Sequence, residues 1–351
     1  MAYTTITDPS AYFHTQLYTG NATDGVNITN DANAGNFKPD WIWIKNRTGG
    51  ADWHDLTDST RGVTKSLFSN TTSAESTQTG AVQAFLTDGF TIGDNSQVNR
   101  NANNYAAWQW KANGATTTSN TDGSITSTVQ ANTTAGFSIV TYTGTGSTAT
   151  VGHGLGAVPK MIIVKKRSGN ADWRVYHESL NNTHVIYLNT TQASETGSDV
   201  WNNTSPTSSV FTVNTNGGVN ASSATYVAYC FAEKQGYSKF GGYTGNGNSN
   251  GPFVYTGFKP AWVMVKNTAG TTNWNMYDNK RSTFNTADDV LLANANIAEG
   301  VVSGKAIDFL SNGFKLRGSD NETNDNGDSH LYMAFAQNPL VASNDVIALA
   351  R

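Results

Sequence analysis

The sequence predicts an all-β fold of three tandem antiparallel β-sandwich or jelly-roll repeats, and three observations support this prediction. Aromatic residues reach 11% while charged residues make up only 14%, and small polar residues mixed with aromatic and β-branched ones are typical of short strands joined by turns. No stretch shows the helical periodicity of about 3.6 residues. One pattern occurs three times at matched spacing, which indicates an internal structural repeat.

Each copy of the pattern opens with Tyr-Thr-Gly and continues into an apolar run that begins at a proline and ends at a lysine. The opening triplets are residues 18–20, 142–144 and 243–245, and the apolar runs are residues 39–45, 159–165 and 260–266. A tryptophan follows each lysine by eight residues, at Trp53, Trp173 and Trp274. Because the three copies share one spacing, we expect three units of the same fold.

The run in the first copy is apolar at every position from 41 to 44. A strand of this kind is covered on both faces. We therefore expect one face to fill its own sandwich and the other to meet a neighbouring repeat or subunit. The lysines that end the three runs, Lys45, Lys165 and Lys266, are expected to reach solvent along the strand, as lysines at buried edges commonly do.

Each copy ends with a hairpin signal and an alternating aromatic strand. Asp88-Gly89 and Asn312-Gly313 stand between apolar residues, a pattern that favours a two-residue type I′ turn. The closing strands are predicted at residues 105–110, 226–231 and 332–336. In the second copy, residues 124–129 are predicted to pair with residues 137–142, which leaves residues 113–122 as a connector.

These signals divide the chain into five parts. We expect an N-terminal arm at residues 1–12, concanavalin-like sandwich repeats at residues 13–114, 115–236 and 237–342, and a C-terminal tail at residues 343–351. Each repeat has room for roughly six to eight strands of about five residues.

Charge, hydropathy and cysteine content argue against several classes of protein. The net charge of −4 and the pI of about 5.8 provide no broad basic field for phosphates, so nucleic acid is not an expected partner. No apolar stretch approaches the roughly 18 residues of a membrane span, and the first residues lack the features of a secretory signal. Cys230 is the only cysteine, so we expect neither an intramolecular disulfide nor a thiolate metal cluster.

The ionisable residues predict no catalytic centre, cofactor or metal ion. The six histidines show no zinc-binding spacing. Glu75, Glu195 and Glu299 recur once per copy, whereas a glycosidase needs two carboxylates about 5 to 10 Å apart. We therefore expect a protein without enzymatic activity, in which each of these glutamates makes a structural hydrogen bond.

The repeated tryptophans are the first candidates for ligand binding. Trp53, Trp173 and Trp274 can stack on sugar rings if they are exposed beside polar side chains. A tryptophan repeated at one place in every copy is more often part of a core, and this alternative is the preferred one.

The acidic loop at residues 320–328 is the second candidate. Asp320, Asn324 and Asp325 provide polar groups that could contact a ligand. The EF-hand pattern fails in this loop because its twelfth position is Met333 instead of glutamate. A solvated loop is therefore favoured over a calcium site between loops, which stays open as an alternative.

With its repeats aligned, the chain resembles a family of tailed-bacteriophage virion proteins found in marine and cyanobacterial phages. The resemblance depends on Tyr-Thr-Gly followed by the motif at residues 37–45, on residues 124–143 and 152–165, and on the motif at residues 257–266. It covers almost the whole chain. It implies a virion structural protein of tail-fibre-like type that is assembled in the host bacterial cytoplasm, and it carries over no catalytic residues.

The resemblance and the composition together indicate a surface component of a virion. We expect a tail-fibre-like protein that attaches to a host-surface glycan through aromatic residues and Asn/Asp loops. The alternative is a capsid decoration, head-fibre or tail adaptor protein with a purely structural role, and a polysaccharide depolymerase is the weakest reading. The expected partners are other virion proteins and further copies of this chain, a trimer included. Three copies within one chain could also mimic a trimer in a single subunit.

Overall fold

The computed structural model of the chain describes residues 3–31, 37–49 and 51–341. Strands make up 42% of the structure and helices 8%, and the strands pair in antiparallel sheets, which confirms the predicted all-β fold. The strands fall into three successive units, called unit 1, unit 2 and unit 3. Each unit is a sandwich of two sheets, and the pairing order does not establish a jelly-roll or concanavalin-like topology.

The secondary-structure elements have the following bounds. Unit 1 contains β1 (Phe13–Thr19), β2 (Val26–Ile28), β3 (Trp41–Asn46), β4 (Asp55–Asp58), β5 (Lys65–Ser66), β6 (Ser76–Thr77), β7 (Val82–Leu86), β8 (Gly89–Ile92), α1 (Ser96–Asn99) and β9 (Asn104–Trp110). Unit 2 contains β10 (Thr118–Asn120), β11 (Ser127–Asn132), β12 (Phe137–Thr143), β13 (Ala149–Gly152), β14 (Met161–Lys166), β15 (Arg174–His177), β16 (His184–Tyr187), β17 (Glu195–Thr196), α2 (Ser198–Trp201), β18 (Val210–Val213), α3 (Gly217–Asn220) and β19 (Thr225–Phe231). Unit 3 contains β20 (Ser238–Thr244), β21 (Phe253–Tyr255), β22 (Phe258–Asn267), β23 (Asn275–Asp278), β24 (Asp289–Leu292), β25 (Gly300–Val301), β26 (Ile307–Leu310), β27 (Gly313–Leu316), α4 (Asn321–Asn324) and β28 (Ser329–Pro339). Short 3₁₀ turns lie at Pro9–Ala11, Glu178–Leu180 and Ser303–Lys305.

Each unit has a large sheet and a small sheet in a common order. In unit 1 the orders are β1-β9-β3-β4 and β2-β8-β7, and in unit 3 they are β20-β28-β22-β23-β24-β25 and β21-β27-β26. The large sheet of unit 2 runs β12-β19-β14-β15-β16-β17 with β11 and β10 added beside β12, and its small sheet is the pair β13-β18. Hence β1, β12 and β20 occupy equivalent places in the three units.

Four apolar cores in the described part of the chain explain why four successive positions of each central strand, 41–44, 161–164 and 262–265, are all apolar. In β3, Ile42 and Ile44 pack between the two sheets of unit 1, while Trp41 and Trp43 point the other way into a core shared by all three units. The equivalent strands β14 and β22 alternate in the same manner. The predicted double-sided burial is confirmed, and the second face meets the neighbouring units of the same chain.

The three lysines that end these strands are buried, so the expectation that they reach solvent is wrong. Each ammonium group donates to a main-chain carbonyl of the preceding unit, with unit 3 preceding unit 1. The donor and acceptor pairs are Lys45 and Asn296 at 3.2 Å, Lys165 and Thr72 at 3.1 Å, and Lys266 and Thr191 at 3.0 Å. Burial lowers the pKa of each lysine to about 8. The three equivalent contacts close the units into a ring with approximate threefold symmetry.

Among the described residues, two of the three unit junctions carry an arginine–glutamate ion pair between units. Glu75 of unit 1 accepts from Arg167 of unit 2 at 3.0 Å and from its own unit's Arg61 at 2.9 Å. Glu299 of unit 3 accepts from Arg47 of unit 1 at 2.8 Å and from Arg281 at 2.7 Å. Glu75 and Glu299 therefore form ion pairs across junctions, whereas the prediction was a structural hydrogen bond to a loop.

The junction between units 2 and 3 lacks this ion pair. Thr268 stands where the other junctions have Arg47 and Arg167, and its carbonyl accepts from Ser194. Glu195 is exposed and binds Tyr187 and Gln192 of its own unit instead. The second copy has thus lost the charged contact while keeping the fold.

The Tyr-Thr-Gly triplet attaches β1, β12 and β20 to the last short helix of their units. The hydroxyls of Tyr18, Tyr142 and Tyr243 donate to the carbonyls of Val98, Val219 and Thr323 respectively. A Cβ on the glycine that follows would lie 2.3 Å from Arg100 O in unit 1, 2.4 Å from Ala221 O in unit 2 and 2.1 Å from Asp325 O in unit 3. The triplet therefore needs its glycine because the main chain of the helix end passes too close for any side chain.

The predicted hairpins are present as β7–β8 and β26–β27, but their turns differ from the prediction. Leu86 pairs with Gly89 and Leu310 pairs with Gly313, so the glycines are the first residues of the second strands. The turn residues are 87–88 and 311–312, and none of them has the positive φ that a type I′ turn requires. The glycines are needed because a Cβ would lie 2.0 Å from Ile28 O and 2.1 Å from Val254 O on the adjacent strands.

The segment between units 1 and 2 also takes part in the fold. β11 pairs with β12 as predicted, but the expected connector at residues 113–122 contains β10, which pairs with β11.

The N-terminal arm is packed as well. Its Ile6 enters the shared core, and the hydroxyls of Tyr3 and Thr4 donate to the carbonyls of Gly257 and Gln235. The arm is therefore packed on unit 3. The predicted tail at residues 343–351 lies outside the described residues.

Candidate functional site: an aromatic face on unit 3

The structure places two of the three candidate tryptophans in the shared core. Trp173 and Trp274 are fully buried, and their indole nitrogens donate to the carbonyls of Phe68 and Tyr187 in the preceding units. Burial leaves neither ring accessible to a sugar. Their equivalent in unit 1 is His54, whose Nε2 lies 3.0 Å from Leu292 O of unit 3.

Trp53 is one residue out of register with the other two tryptophans. Ile44 pairs with Asp55 in unit 1, whereas Val164 pairs with Arg174 and Val265 with Asn275, so the intervening loop of unit 1 is one residue longer. Trp53 is consequently 37% exposed, with its ring packed against Phe68 at 5.1 Å between centroids. It remains a candidate for ligand contact as a single exposed ring.

The residues of the acidic loop mostly hold the loop itself together. Asp320 caps α4 by accepting from the amide of Glu322. Asn324 is buried and donates to the carbonyls of Asn248 and Gly318. The carboxylate of Asp325 accepts from the amide of Asn326 on the exposed side of the loop. Asn99 and Asn220 occupy the place of Asn324 in the other units and make similar contacts, so Asn324 belongs to the repeated framework.

Metal-binding and membrane-spanning features were also sought in the described part of the chain. Among these residues no group of three or more His, Cys, Asp or Glu side chains is arranged to hold a metal ion. No helix within the described ranges is long and apolar enough to cross a bilayer.

An aromatic face is exposed on the small sheet of unit 3. In β21, Val254 points into the core of the unit, and the side chains on either side of it, Phe253 and Tyr255, are 46% and 53% exposed. Because side chains alternate along a strand, the two rings project together from the outer surface of the sandwich. We call Phe253, Tyr255 and the outward residues beside them the aromatic face.

The other two units carry no aromatic residue at these places. The strand registers align Val254 with Ile28 of unit 1 and Val151 of unit 2, each opposite a buried phenylalanine. The residues that flank those valine and isoleucine positions are Asn27 and Thr29 in unit 1, and Thr150 and Gly152 in unit 2. The aromatic pair is therefore dispensable for the sandwich, and its presence in unit 3 requires another explanation.

Polar groups border the aromatic face. Lys315 stands opposite Phe253 on β27 and donates to Gly251 O at 2.7 Å. On the next strand, Asp308 pairs with Arg317 at 3.3 Å. The Phe253 ring extends over Gly313, since a Cβ there would lie 3.0 Å from Phe253 Cε2. Because Gly313 has no side chain, the Phe253 ring can pack directly against the backbone of the sheet.

Tyr3 of the N-terminal arm lies at the other end of the face. Burial and the neighbouring Tyr255 hydroxyl raise the pKa of Tyr3 to about 12, so its hydroxyl stays protonated at neutral pH and donates to Gly257 O at 2.6 Å. The site is an apolar platform with hydrogen-bonding groups at its rim. Such a platform can bind a ligand with an apolar surface and hydroxyl groups.

Sequence reasoning missed the aromatic face because it searched for features that recur in every copy. A search for residues that differ between the copies would have found it. Phe253 and Tyr255 stand at positions that are polar or glycine in the other two copies. A large apolar residue on the exposed side of a strand indicates a binding surface when the equivalent strands have polar or small residues at that position.

The structure therefore defines an all-β protein of three fused sandwich units with an aromatic face on the third. The chain belongs to the family described as domain of unknown function DUF7483, whose profile matches residues 8–339. No curated protein and no solved structure matches the chain.

Proposed function

We propose that the chain is a bacteriophage virion protein displayed on the particle surface, where it attaches to a host glycan through the aromatic face of unit 3. The observation that carries the attachment role is the pair of exposed rings, Phe253 and Tyr255, at places that are polar or small in both other units. The assignment to a virion is supported by the resemblance of the repeated motifs to phage structural proteins.

The chemistry of the face suits a carbohydrate. Aromatic rings offer flat apolar surfaces on which the C–H face of a sugar ring can stack, while Lys315, Asp308 and Arg317 supply donors and acceptors around them. A few polar groups around an apolar surface are the usual means of orienting a ligand. The packing of unit 3 into the ring holds the face rigidly, which reduces the entropy lost on binding.

A variant built from the chain's own repeats tests the site. Replacing Phe253 by Asn and Tyr255 by Thr installs the residues that unit 1 carries at the same places, so the sandwich is expected to fold. Binding of the purified double variant to host-surface polysaccharide is expected to weaken by about tenfold or more, which corresponds to about 1.4 kcal/mol. A Trp53→Ala variant is the matched control, because it removes an exposed ring elsewhere.

Two outcomes would contradict the site. Full binding by the double variant with loss in Trp53→Ala would transfer glycan contact to Trp53. Full binding by both variants would remove the aromatic residues from the attachment surface altogether. Localising the chain in an intact particle by immunogold labelling tests the virion assignment separately.

The second candidate function is purely structural: a capsid decoration, head-fibre or tail adaptor protein. An unpaired strand edge at the junction of units 1 and 3, described below, favours it because such an edge can dock a partner chain. High copy number on the capsid together with no glycan binding would support this alternative.

A further inference from the structure

The first edge of the large sheet is paired in unit 2 and, among the described residues, has no paired strand in units 1 and 3, where β1 and β20 are the edge strands. The turn Glu178–Leu180 of unit 2 lies beside β20, and β20 has Phe240 where β1 has Thr15. In unit 2, β12 is flanked by β19 on one side and by β11 on the other. The equivalent strand of unit 1, β1, pairs with β9, and no described strand pairs with its other side. An edge of this kind presents main-chain N–H and C=O groups that can pair with another chain.

A cleft lies beside this edge. It has a volume of about 480 Å³ and separates β1 from the loop of unit 3 that follows β23. Phe13 and Thr15 of β1 line one wall, Lys280 and Thr283 of unit 3 line the opposite wall, and Ala261 and Ala336 belong to the lining as well. The cleft thus has both a strand edge and apolar surface.

β11 shows what occupies the equivalent place between units 1 and 2. Its Gln130 stands opposite Ile139 of β12, and the Gln130 amide nitrogen donates to the hydroxyls of Ser59 and Thr60 in unit 1, at 2.9 and 2.8 Å. The strand registers make Thr15 the equivalent of Ile139, and the loop that contains Lys280 the equivalent of the loop with Thr60. The cleft therefore occupies the place that β11 fills at the other junction.

Thr15 provides an independent sign that the cleft receives a polar group. Its side chain is buried and its Oγ1 has no hydrogen-bond partner in the described structure, although a buried hydroxyl is normally bonded. In unit 2 the same place is apolar, because Ile139 contributes to the shared core. A hydroxyl is expected here if an incoming strand supplies its partner.

The described lining of the cleft contains two carboxylates, Asp8 and Asp31, and one ammonium group, Lys280. Asp31 pairs with His14 at 2.9 Å and with Lys280 at 2.9 Å, and Asp8 accepts from Ser10 in the arm. Burial lowers the pKa of His14, so its ring is neutral at pH 7 and the lining keeps one carboxylate more than Lys280 can balance. This single negative charge disfavours an acidic segment. An uncharged strand with hydroxyl and amide side chains, such as β11 itself, fits this lining.

We propose that the open edge of β1 is a strand-addition site, which accepts an extended uncharged segment of a partner protein by antiparallel pairing. The incoming strand takes the place that β11 has on β12 and puts a side chain with hydrogen-bonding groups between Thr15 and the unit 3 loop. Main-chain hydrogen bonds provide affinity, and the polar lining provides selectivity, as in other complexes formed by strand addition.

Hydrogen exchange on the full chain tests the proposal with a defined probe. The probe is a synthetic peptide with the sequence of residues 124–133, which contains β11, added at about 1 mM. Amide exchange in Phe13–Thr19 is expected to slow by about tenfold or more, while exchange in Phe137–Thr143 stays unchanged because that strand is already paired on both sides. A peptide with Thr128→Pro and Gln130→Pro, which cannot pair as a strand, is the control and should protect neither segment.

The remaining outcomes overturn the proposal. No protection of β1 by the unmodified peptide means that the edge does not accept this kind of strand. Equal protection by the proline peptide means that binding does not use strand pairing. Slow exchange of β1 before peptide is added, lost in a chain that ends at residue 341, would assign the edge to the chain's own C-terminal residues.

Discussion

At the scale of single residues, buried charges decide how the units are joined. The guanidinium groups of Arg61 and Arg281 are inaccessible to solvent, and each is paired with an aspartate and a glutamate of its own unit. Each of these glutamates also holds an arginine of the next unit. In unit 2, Leu180 takes the place of the arginine, and the junction that follows has no such network. The units therefore share a fold while their junctions differ in electrostatics.

Glutamate substitutions should expose this difference. Glu299→Gln keeps the shape of the side chain but removes the charge that Arg47 and Arg281 share, and we expect it to lower the free energy of unfolding by about 1 to 3 kcal/mol. Glu195→Gln alters an exposed side chain and should change it by no more than about 0.5 kcal/mol. Equilibrium denaturation in urea compares the two variants. Equal losses would mean that the buried network does not stabilise its junction.

His177 gives one junction a pH dependence. It occupies the place of Asp58 and Asp278 in the strand registers, and its Nε2 lies 3.1 Å from Tyr332 O of unit 3. Burial lowers the pKa of His177 from 6.5 to about 4. The unfolded chain therefore takes up a proton at higher pH than the folded chain, and stability is lost as the pH falls from about 6.5 towards about 4.

The His177→Gln variant should remove that contribution. The unfolding free energy of the wild type is expected to fall faster than that of the variant over this pH range, by at most about 1.4 kcal/mol per pH unit. Above pH 7 the difference between the two proteins should be constant. Parallel curves throughout the acid range would show that His177 is not linked to folding.

At the scale of elements, the repeated motifs are explained by close contacts with neighbouring main chain. The Tyr-Thr-Gly triplet connects β1, β12 and β20 to the helix before the closing strand. Its tyrosine ring stacks on Tyr105 in unit 1, Tyr226 in unit 2 and His330 in unit 3. The triplet is therefore a structural signature of the unit.

Alanine at the last position of the triplet should be costly. In Gly245→Ala the new Cβ would lie 2.1 Å from Asp325 O, and the main chain would have to move, with an expected loss of about 1 to 3 kcal/mol. Gly304→Ala is the control, since the nearest atom to its Cβ is 3.7 Å away, and it should stay within about 0.5 kcal/mol. Thermal unfolding measured by circular dichroism distinguishes them, and similar melting temperatures would contradict the close-contact explanation.

The strand pattern could be predicted from sequence because it depends on local periodicity and on repetition. The burial of residues 41–44 on both faces of their strand could be predicted because the run is apolar at four successive positions. What failed depends on non-local geometry: Lys45 is covered by a loop from unit 3, and Gly89 is required by the carbonyl of Ile28 on another strand. The matched spacing of Trp53 was misleading, because a one-residue insertion moved His54 into the place of the buried tryptophans.

At the scale of the whole molecule, the three units depend on one another for burial. The large sheets turn their second faces towards a common core that contains Trp41, Trp108, Phe231, Trp262 and Phe335. These faces are as apolar as the interiors of the sandwiches. A unit removed from the ring would expose its face to water, and apolar patches of that kind associate.

The ring should therefore unfold as one body. Tryptophan fluorescence, which reports mainly on the shared core, and far-ultraviolet circular dichroism, which reports on all sheets, are expected to give coincident denaturation curves. A fragment of residues 1–114 is expected to associate or precipitate, because Trp41, Trp43 and Trp108 lose their cover. Separate transitions, or a monomeric folded fragment, would show that the units are independent domains.

The differences between the three units determine how many binding sites one chain displays. In a homotrimer every surface residue is displayed three times, but among the described residues the aromatic face occurs once. The edge of β1 differs from that of the other edge strand, β20, which has Phe240 in the place of Thr15. A ligand held by either surface is bound singly, without the gain in effective concentration that three linked sites provide. Avidity for a multivalent target must then come from the number and spacing of whole chains in the assembly that carries them.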